Sequence, residues 1–190
     1  MFNAREVSNF LSDSECKLLV NTAKDIENLW DKNHHEFWNN RVVSPIVLSS
    51  NGYTRAADII MNSIIRCKEL IQNSYGLSDE IYPDTATLVR WFPGMEQQPH
   101  ADDMIEANVE GFAHRKFGAI IYLNDDYSGG HTYYPKYEYD IKPQVGKLAI
   151  HPGDSEHLHG VTKIEDGMRY TIASFWTFER NRALAWSISQ

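Results

Sequence analysis

From Thr85 onward the chain is cut into short pieces by turn-forming residues, at Pro93-Gly94, across Asp125 to Gly130, at Pro143 and at Pro152-Gly153. Many short strands broken this way favour a sandwich or barrel over a helical domain. The earlier part of the chain reads differently. Ser12-Asp13-Ser14-Glu15 is a capping box, in which a serine side chain and a glutamate side chain satisfy each other's backbone N–H groups at a helix start. It precedes Leu18, Leu19, Ala23, Ile26 and Trp30, an apolar face at helical spacing. A second helix is expected from about Tyr53 to Tyr75, with Ala56, Ile59, Ile60, Ile64 and Leu70 on its apolar side and Gly76 suited to its end. The expectation is an all-β core with flanking helices (α+β). Helical support covers about 1–80 and the core about 81–180, in one domain spanning 1–190. At 190 residues the chain can bury one sizeable core and is short for two.

Charge and cysteine usage narrow the function classes. Eighteen basic against 26 acidic residues give a net charge of −8, which argues against nucleic acid as substrate, since its phosphates are gripped by Lys and Arg. With no long apolar run, neither a membrane span nor a secretory leader is expected. Cys16 and Cys67 fall in the two expected helices without pairing or metal spacing. They read as reduced thiols in a cytoplasmic setting.

The chemistry lies in His100-Ala101-Asp102, with His159 further on and Arg169 ten positions beyond it. Two imidazoles and one carboxylate can grip one face of an octahedral Fe(II) and leave the other positions open. In an extended segment, residues two apart point the same way, so His100 and Asp102 can meet one metal from a single short stretch. The third ligand must come from another strand. His157 shares strand parity with His159 and competes with it for that place.

Around these residues lie Leu88 to Gly94, Arg115 to Asp125, Gly129-Gly130-His131-Thr132, Gly146 to His151, His157 to Val161, Gly167 to Tyr170 and Ser174-Phe175-Trp176. The ordered set, spread over roughly the last hundred residues, resembles the prolyl 4-hydroxylase type of 2-oxoglutarate- and Fe(II)-dependent dioxygenase. The resemblance implies a double-stranded β-helix, or jelly roll, with the site between its sheets. It places His100, Asp102 and His159 on the iron ligands, with His159 preferred to His157. It places Arg169 on the C5 carboxylate of 2-oxoglutarate, for which a planar guanidinium fork is suited. Tyr122 falls on a tyrosine that donates to the same carboxylate. Fe(II), 2-oxoglutarate and O2 are the implied cofactors, with ascorbate as an auxiliary.

The chain also departs from that pattern. Trp91 stands where many members have a tyrosine near the cosubstrate, and its indole could serve only as a donor. His131 stands in place of an acidic residue and His151 in place of an apolar one. Both read as surface groups or groups behind the ligands rather than ligands. Two irregular stretches are candidates for substrate selection: 31–52, with His34, His35, Trp38, Arg41 and Ser44, and Met104 to His114. Arg115 and Trp176 are the candidate substrate contacts. The implied partner is a peptide or protein containing proline. Hydroxylation of another residue or a small metabolite stands as an alternative, as does a non-catalytic jelly-roll binding module.

Overall fold

The computed structural model describes residues 2–34, 36–103 and 112–188. Among the described residues there are three α-helices, α1 (Asp13–Asp25), α2 (Pro45–Ser50) and α3 (Thr54–Tyr75), besides short 3-10 turns. The strands in chain order are β1 (Arg5–Val7), β2 (Val42–Val43), β3 (Tyr82–Trp91), β4 (Gln97–His100), β5 (Arg115–Tyr122) and β6 (Ser128–Gly129). They continue with β7 (Thr132–Tyr134), β8 (Tyr139–Ile141), β9 (Leu148–Pro152), β10 (His159–Val161), β11 (Ile164–Asp166) and β12 (Arg169–Thr177).

The helices begin and end as their sequences ask. Ser12 and Glu15 form the expected reciprocal cap on α1. The α3 helix runs to Gly76, whose φ of 60° lies in the left-handed region that glycine enters without a Cβ clash. The first eighty residues are not purely helical, however. β1 pairs with β9 and β2 with β3, so this part of the chain also supplies both outer strands of the main sheet. Within the stretch 31–52, Val42–Val43 and Pro45–Ser50 form β2 and α2. The Ser44 side chain caps α2, with Pro45 opening the helix where a missing N–H does no harm.

The main sheet has the order β1-β9-β5-β12-β3-β2, and a four-stranded sheet has the order β4-β10-β7-β8. A short pair, β11-β6, closes one end. Two side-chain hydrogen bonds join the sheets face to face. Tyr122 of β5 bonds to Thr132 of β7 at 2.7 Å, and Tyr134 of β7 to His151 of β9 at 3.1 Å. The architecture is the jelly roll, with α1 and α3 packed on the outer side of the main sheet. There Cys16, Leu19, Ile60, Ile64, Cys67 and Ile71 meet Leu88, Ile121, Leu148, Ile150, Ile172 and Trp176 in one core. Alternation along each strand leaves the opposite face free to line the space between the sheets. Among the described residues no helix is long and apolar enough to cross a membrane.

Candidate metal and cosubstrate site

His100 and His159 sit directly opposite each other in the β4–β10 pair, and Asp102 lies in the turn just after β4. Asp102 Oδ1 is 3.9 Å from His100 Nε2 and 3.6 Å from His159 Nε2. The three residues are the His/Cys/Asp/Glu group among the described residues whose donor atoms lie within 4.8 Å of one another. Each imidazole is oriented by the backbone. Nδ1 of His100 lies 3.0 Å from the Gln98 carbonyl, and Nδ1 of His159 lies 3.1 Å from the His157 carbonyl. A carbonyl only accepts, so each Nδ1 carries the proton and each Nε2 turns its lone pair into the site. Two imidazole lone pairs and a carboxylate form a donor set that fits a divalent metal such as Fe(II).

Burial tunes the protonation of these groups. It pushes the Asp102 carboxyl up to about 6, opposed chiefly by the charge of His100. Burial pulls His159 down to about 4, the hydrogen bond to the His157 carbonyl opposing it. The imidazole is therefore neutral at neutral pH, as a metal ligand must be.

His157 is not part of this group. It lies in a 3-10 turn, its Nδ1 is 2.7 Å from Asp154 Oδ1, and its ring packs near Phe2 and Tyr137. His131 is a partly exposed group 3.8 Å from Asp140. His151 is buried behind the ligands, its ring centroid 4.0 Å from that of His159.

The cavity between the sheets runs from these ligands to Arg169, walled by Trp38, Val89, Trp91, Val161, Thr171 and Phe175 among others. Arg169 opens β12 opposite Trp91 and is 1% exposed. Its Nε and Nη2 are buried without a partner in the protein, which is the arrangement a bound carboxylate would complete. Its guanidinium carbon stands 5.1 Å from the Trp91 ring centre and 5.3 Å from that of Tyr122. The Tyr122 hydroxyl lies 2.7 Å from Thr132 Oγ1, a contact in which it can accept and keep its own proton for a ligand.

Asn124 and Tyr127 carry no role in the sequence reading, and Arg41 figures there only as a member of the 31–52 stretch. Asn124 accepts from Tyr170 N–H and donates to the Met168 carbonyl, clamping the backbone on both sides of Arg169. Tyr127, whose buried hydroxyl has no hydrogen-bond partner, packs close enough to Arg169 that a side chain on Gly130 would strike both. Arg41 is buried under three rings, 4.4 Å from Phe37, 4.8 Å from Trp38 and 4.0 Å from Trp91. Burial and the neighbouring charge of Arg169 pull it down to about 9.

Two expected substrate contacts lie elsewhere. Trp176 belongs to the helix-facing core and donates its indole N–H to Ser174. Arg169, Thr171, Ala173 and Phe175 line the cavity, and Trp176 has the opposite parity on the same strand. Arg115 bonds to Asp84 and Thr85, and its guanidinium is wedged between Phe112 and Phe175, each 3.9 Å away. It does not line the cavity. His114 shares the Asp84 carboxylate at 2.7 Å. The rest of the second irregular stretch, 104–111, lies outside the described residues, as does His35. His34 is exposed, whereas Trp38 forms part of the cavity wall.

Residues 86–177, which include all of these ligands and Arg169, match the family model described as the 2OG-Fe(II) oxygenase superfamily. Human prolyl 3-hydroxylase 2 is 22% identical over 206 residues, covering 91% of this chain and 29% of that protein. The chain spans less than half the length of the curated relatives it matches. Among solved structures, a Pseudomonas putida prolyl-4-hydroxylase superposes with a TM-score of 0.67 at 17% identity, covering 93% of both chains. The viral collagen prolyl hydroxylase of Paramecium Bursaria Chlorella virus-1, solved as a 2OG complex, gives 0.66 at 18%, covering 92% of this chain and 95% of that one.

Proposed function

We propose that the protein hydroxylates prolyl residues of a peptide or protein, with 2-oxoglutarate converted to succinate and CO2, a reading supported by the match of residues 86–177 to the 2OG-Fe(II) oxygenase superfamily. One observation carries the reading. A single cavity has an acceptor set for a divalent metal at one end and a buried guanidinium with two unpartnered nitrogens at the other.

When bound, iron and 2-oxoglutarate supply the activation of dioxygen for attack on a C–H bond, and the protein contributes ligation, orientation and exclusion of water. His100 Nε2, His159 Nε2 and Asp102 Oδ1 would hold the metal. Arg169 would hold the far carboxylate of the cosubstrate with its planar fork, desolvated against Trp91 and Tyr122. Val89, Trp91 and Val161 keep the space between apolar.

Proline as the target is supported by the relatives' names and by the half-buried rings of Trp38 and Phe175 in the cavity wall, which offer apolar surface to a pyrrolidine. A cytoplasmic setting is part of the same reading, supported by Cys16 and Cys67, both free and buried. The deciding assay measures succinate from 2-oxoglutarate by Fe(II)-loaded protein in air, with a panel of proline-containing peptides analysed by mass. Succinate coupled to one added oxygen on proline is the expected result. Coupling to a different residue or to a small molecule would replace the substrate class. Metal binding without any 2-oxoglutarate binding would point instead to a jelly-roll binding module.

A further inference from the structure

The two oxygens of Asp102 face different imidazoles. Oδ1 looks toward His100 and His159, and Oδ2 is buried without a hydrogen-bond partner, the nearby imidazole nitrogen being His151 Nε2 at 3.4 Å. His151 is itself buried, and its other nitrogen lies 3.1 Å from the Tyr134 hydroxyl. With the imidazole proton on Nε2, the atom turned to Asp102, Nδ1 accepts from the Tyr134 hydroxyl, so one tautomer serves both contacts. The neighbouring strand is shaped for this contact. Gly118 pairs with His151 across β5 and β9, and a Cβ there would lie 2.3 Å from both Asp102 Oδ2 and His151 Nε2. The Gly118 backbone is outside the left-handed region, so only the close approach calls for glycine.

We infer that His151 is a positioning residue for the metal site: its Nε2–H donates to Asp102 Oδ2 and so presents Oδ1, and only Oδ1, to the ion held with His100 and His159. The inference rests on the metal-site reading above. Tyr134, His151 and Asp102 form a relay that leaves the four-stranded sheet at Tyr134, crosses to His151 on the main sheet and returns to Asp102 beyond β4, and Gly118 clears the room in which it closes. The carboxylate is thereby held to a single ligating oxygen, which leaves the opposite coordination positions to the cosubstrate.

The test is a calorimetric titration of Mn(II) into the full chain, together with thermal unfolding of the metal-free protein. H151F should weaken Mn(II) binding by about 10- to 100-fold, the range typical when a group orienting a metal ligand is lost. H151Q keeps an N–H donor and should recover most of that affinity. G118A, with His151 intact, should also weaken binding by forcing the pair apart, and it serves in place of H151F if that variant does not fold. Folded H151F and G118A that both bind within twofold of wild type would overturn the inference. So would a Co(II) absorption spectrum whose coordination number changes in H151Q, since His151 would then be a ligand. D102A separates the two levels. If it binds Mn(II) as wild type does, the metal-site reading itself fails whatever His151 does.

Discussion

The two ends of the cavity are built from opposite chemistry. The metal end presents acceptors: two imidazole lone pairs, each fixed by a carbonyl behind it, and a buried carboxylate. The Arg169 end presents donors: Nε and Nη2 of Arg169, with Nη2 of Arg41 and the Tyr127 hydroxyl buried nearby without partners. A buried polar group without a partner costs about 1–3 kcal/mol, more when charged. Neither end is at rest with the protein alone. A molecule bearing a carboxylate at its far end and chelating oxygens at its near end, bound together with a cation, relieves both at once. The contrast teaches that, among the described residues, the cavity gathers unpartnered polar atoms of both signs, the Asp102 Oδ2 acceptor at one end and the Arg169 donors at the other, while Trp30, Asn40, Asp84 and His157 carry single ones elsewhere.

The most severe way to break this arrangement is at Asp102. D102N should reduce turnover to background and abolish tight metal binding, yet the metal-free variant should melt higher than metal-free wild type at neutral pH. The sign follows from burial. With its carboxyl raised from 3.8 to about 6, ionised Asp102 penalises the fold fully above pH 6. The asparagine removes that penalty, a gain of about 1–3 kcal/mol that shrinks toward pH 4. Thermal unfolding across that pH range checks it, and an unchanged or lower melting temperature for D102N would contradict the burial argument.

A smaller effect is expected at the donor end. R169A should weaken 2-oxoglutarate binding by about two orders of magnitude, as expected when one partner of a desolvated charge pair is removed. Metal affinity should be unmoved. R169K keeps the charge but loses the fork and should fall between them. Titration of 2-oxoglutarate into Mn(II)-loaded protein distinguishes the three. Equal losses of metal and cosubstrate affinity in R169A would mean that the two ends are not separable.

The gentlest probe is pH. Metal can bind only once the proton on Asp102 has left, so affinity should be level above about pH 6 and fall by about tenfold per unit below it. His159, already neutral above about 4, should not add to that slope until lower pH. Mn(II) affinity measured from pH 5 to 8 gives the curve directly. An affinity that stays flat from pH 8 down to pH 5 would contradict the raised Asp102 carboxyl.

What the sequence made legible was local chemistry in a fixed order. The capping box at Ser12, the α3 helix ending at Gly76 and the triad with Arg169 all depend on residues whose meaning is set by near neighbours or by spacing within one strand. Trp176 was misread for a reason already present in the chain. It sits seven positions from Arg169, hence on the other face of the same strand, and it packs against the helices. The closeness of His151 to Asp102 depends on the β5–β9 register, which no single segment encodes. Alternation gave a partial signal, since Leu148 and Ile150 belong to the helix-facing core while Ala149 and His151 point the other way. Arg41 is visible in the sequence only as a member of the 31–52 stretch and Asn124 not at all, because their roles are made by packing, under rings and across a turn far away in the chain.

β9 carries His151 and is bordered on its outer side by β1, with Phe2 seated against Tyr134, Tyr137 and Tyr139 just before it. Residues 2–7 are therefore a selvedge on the woven sheet. Trimming them, or pulling them aside with a fused tag, would bare the hydrogen-bonding edge of Leu148 to Ile150 and invite another copy to pair there. The same cut would loosen the strand on which His151 is mounted. Self-association and weakened metal affinity would then arise from one small change at the far edge of the main sheet.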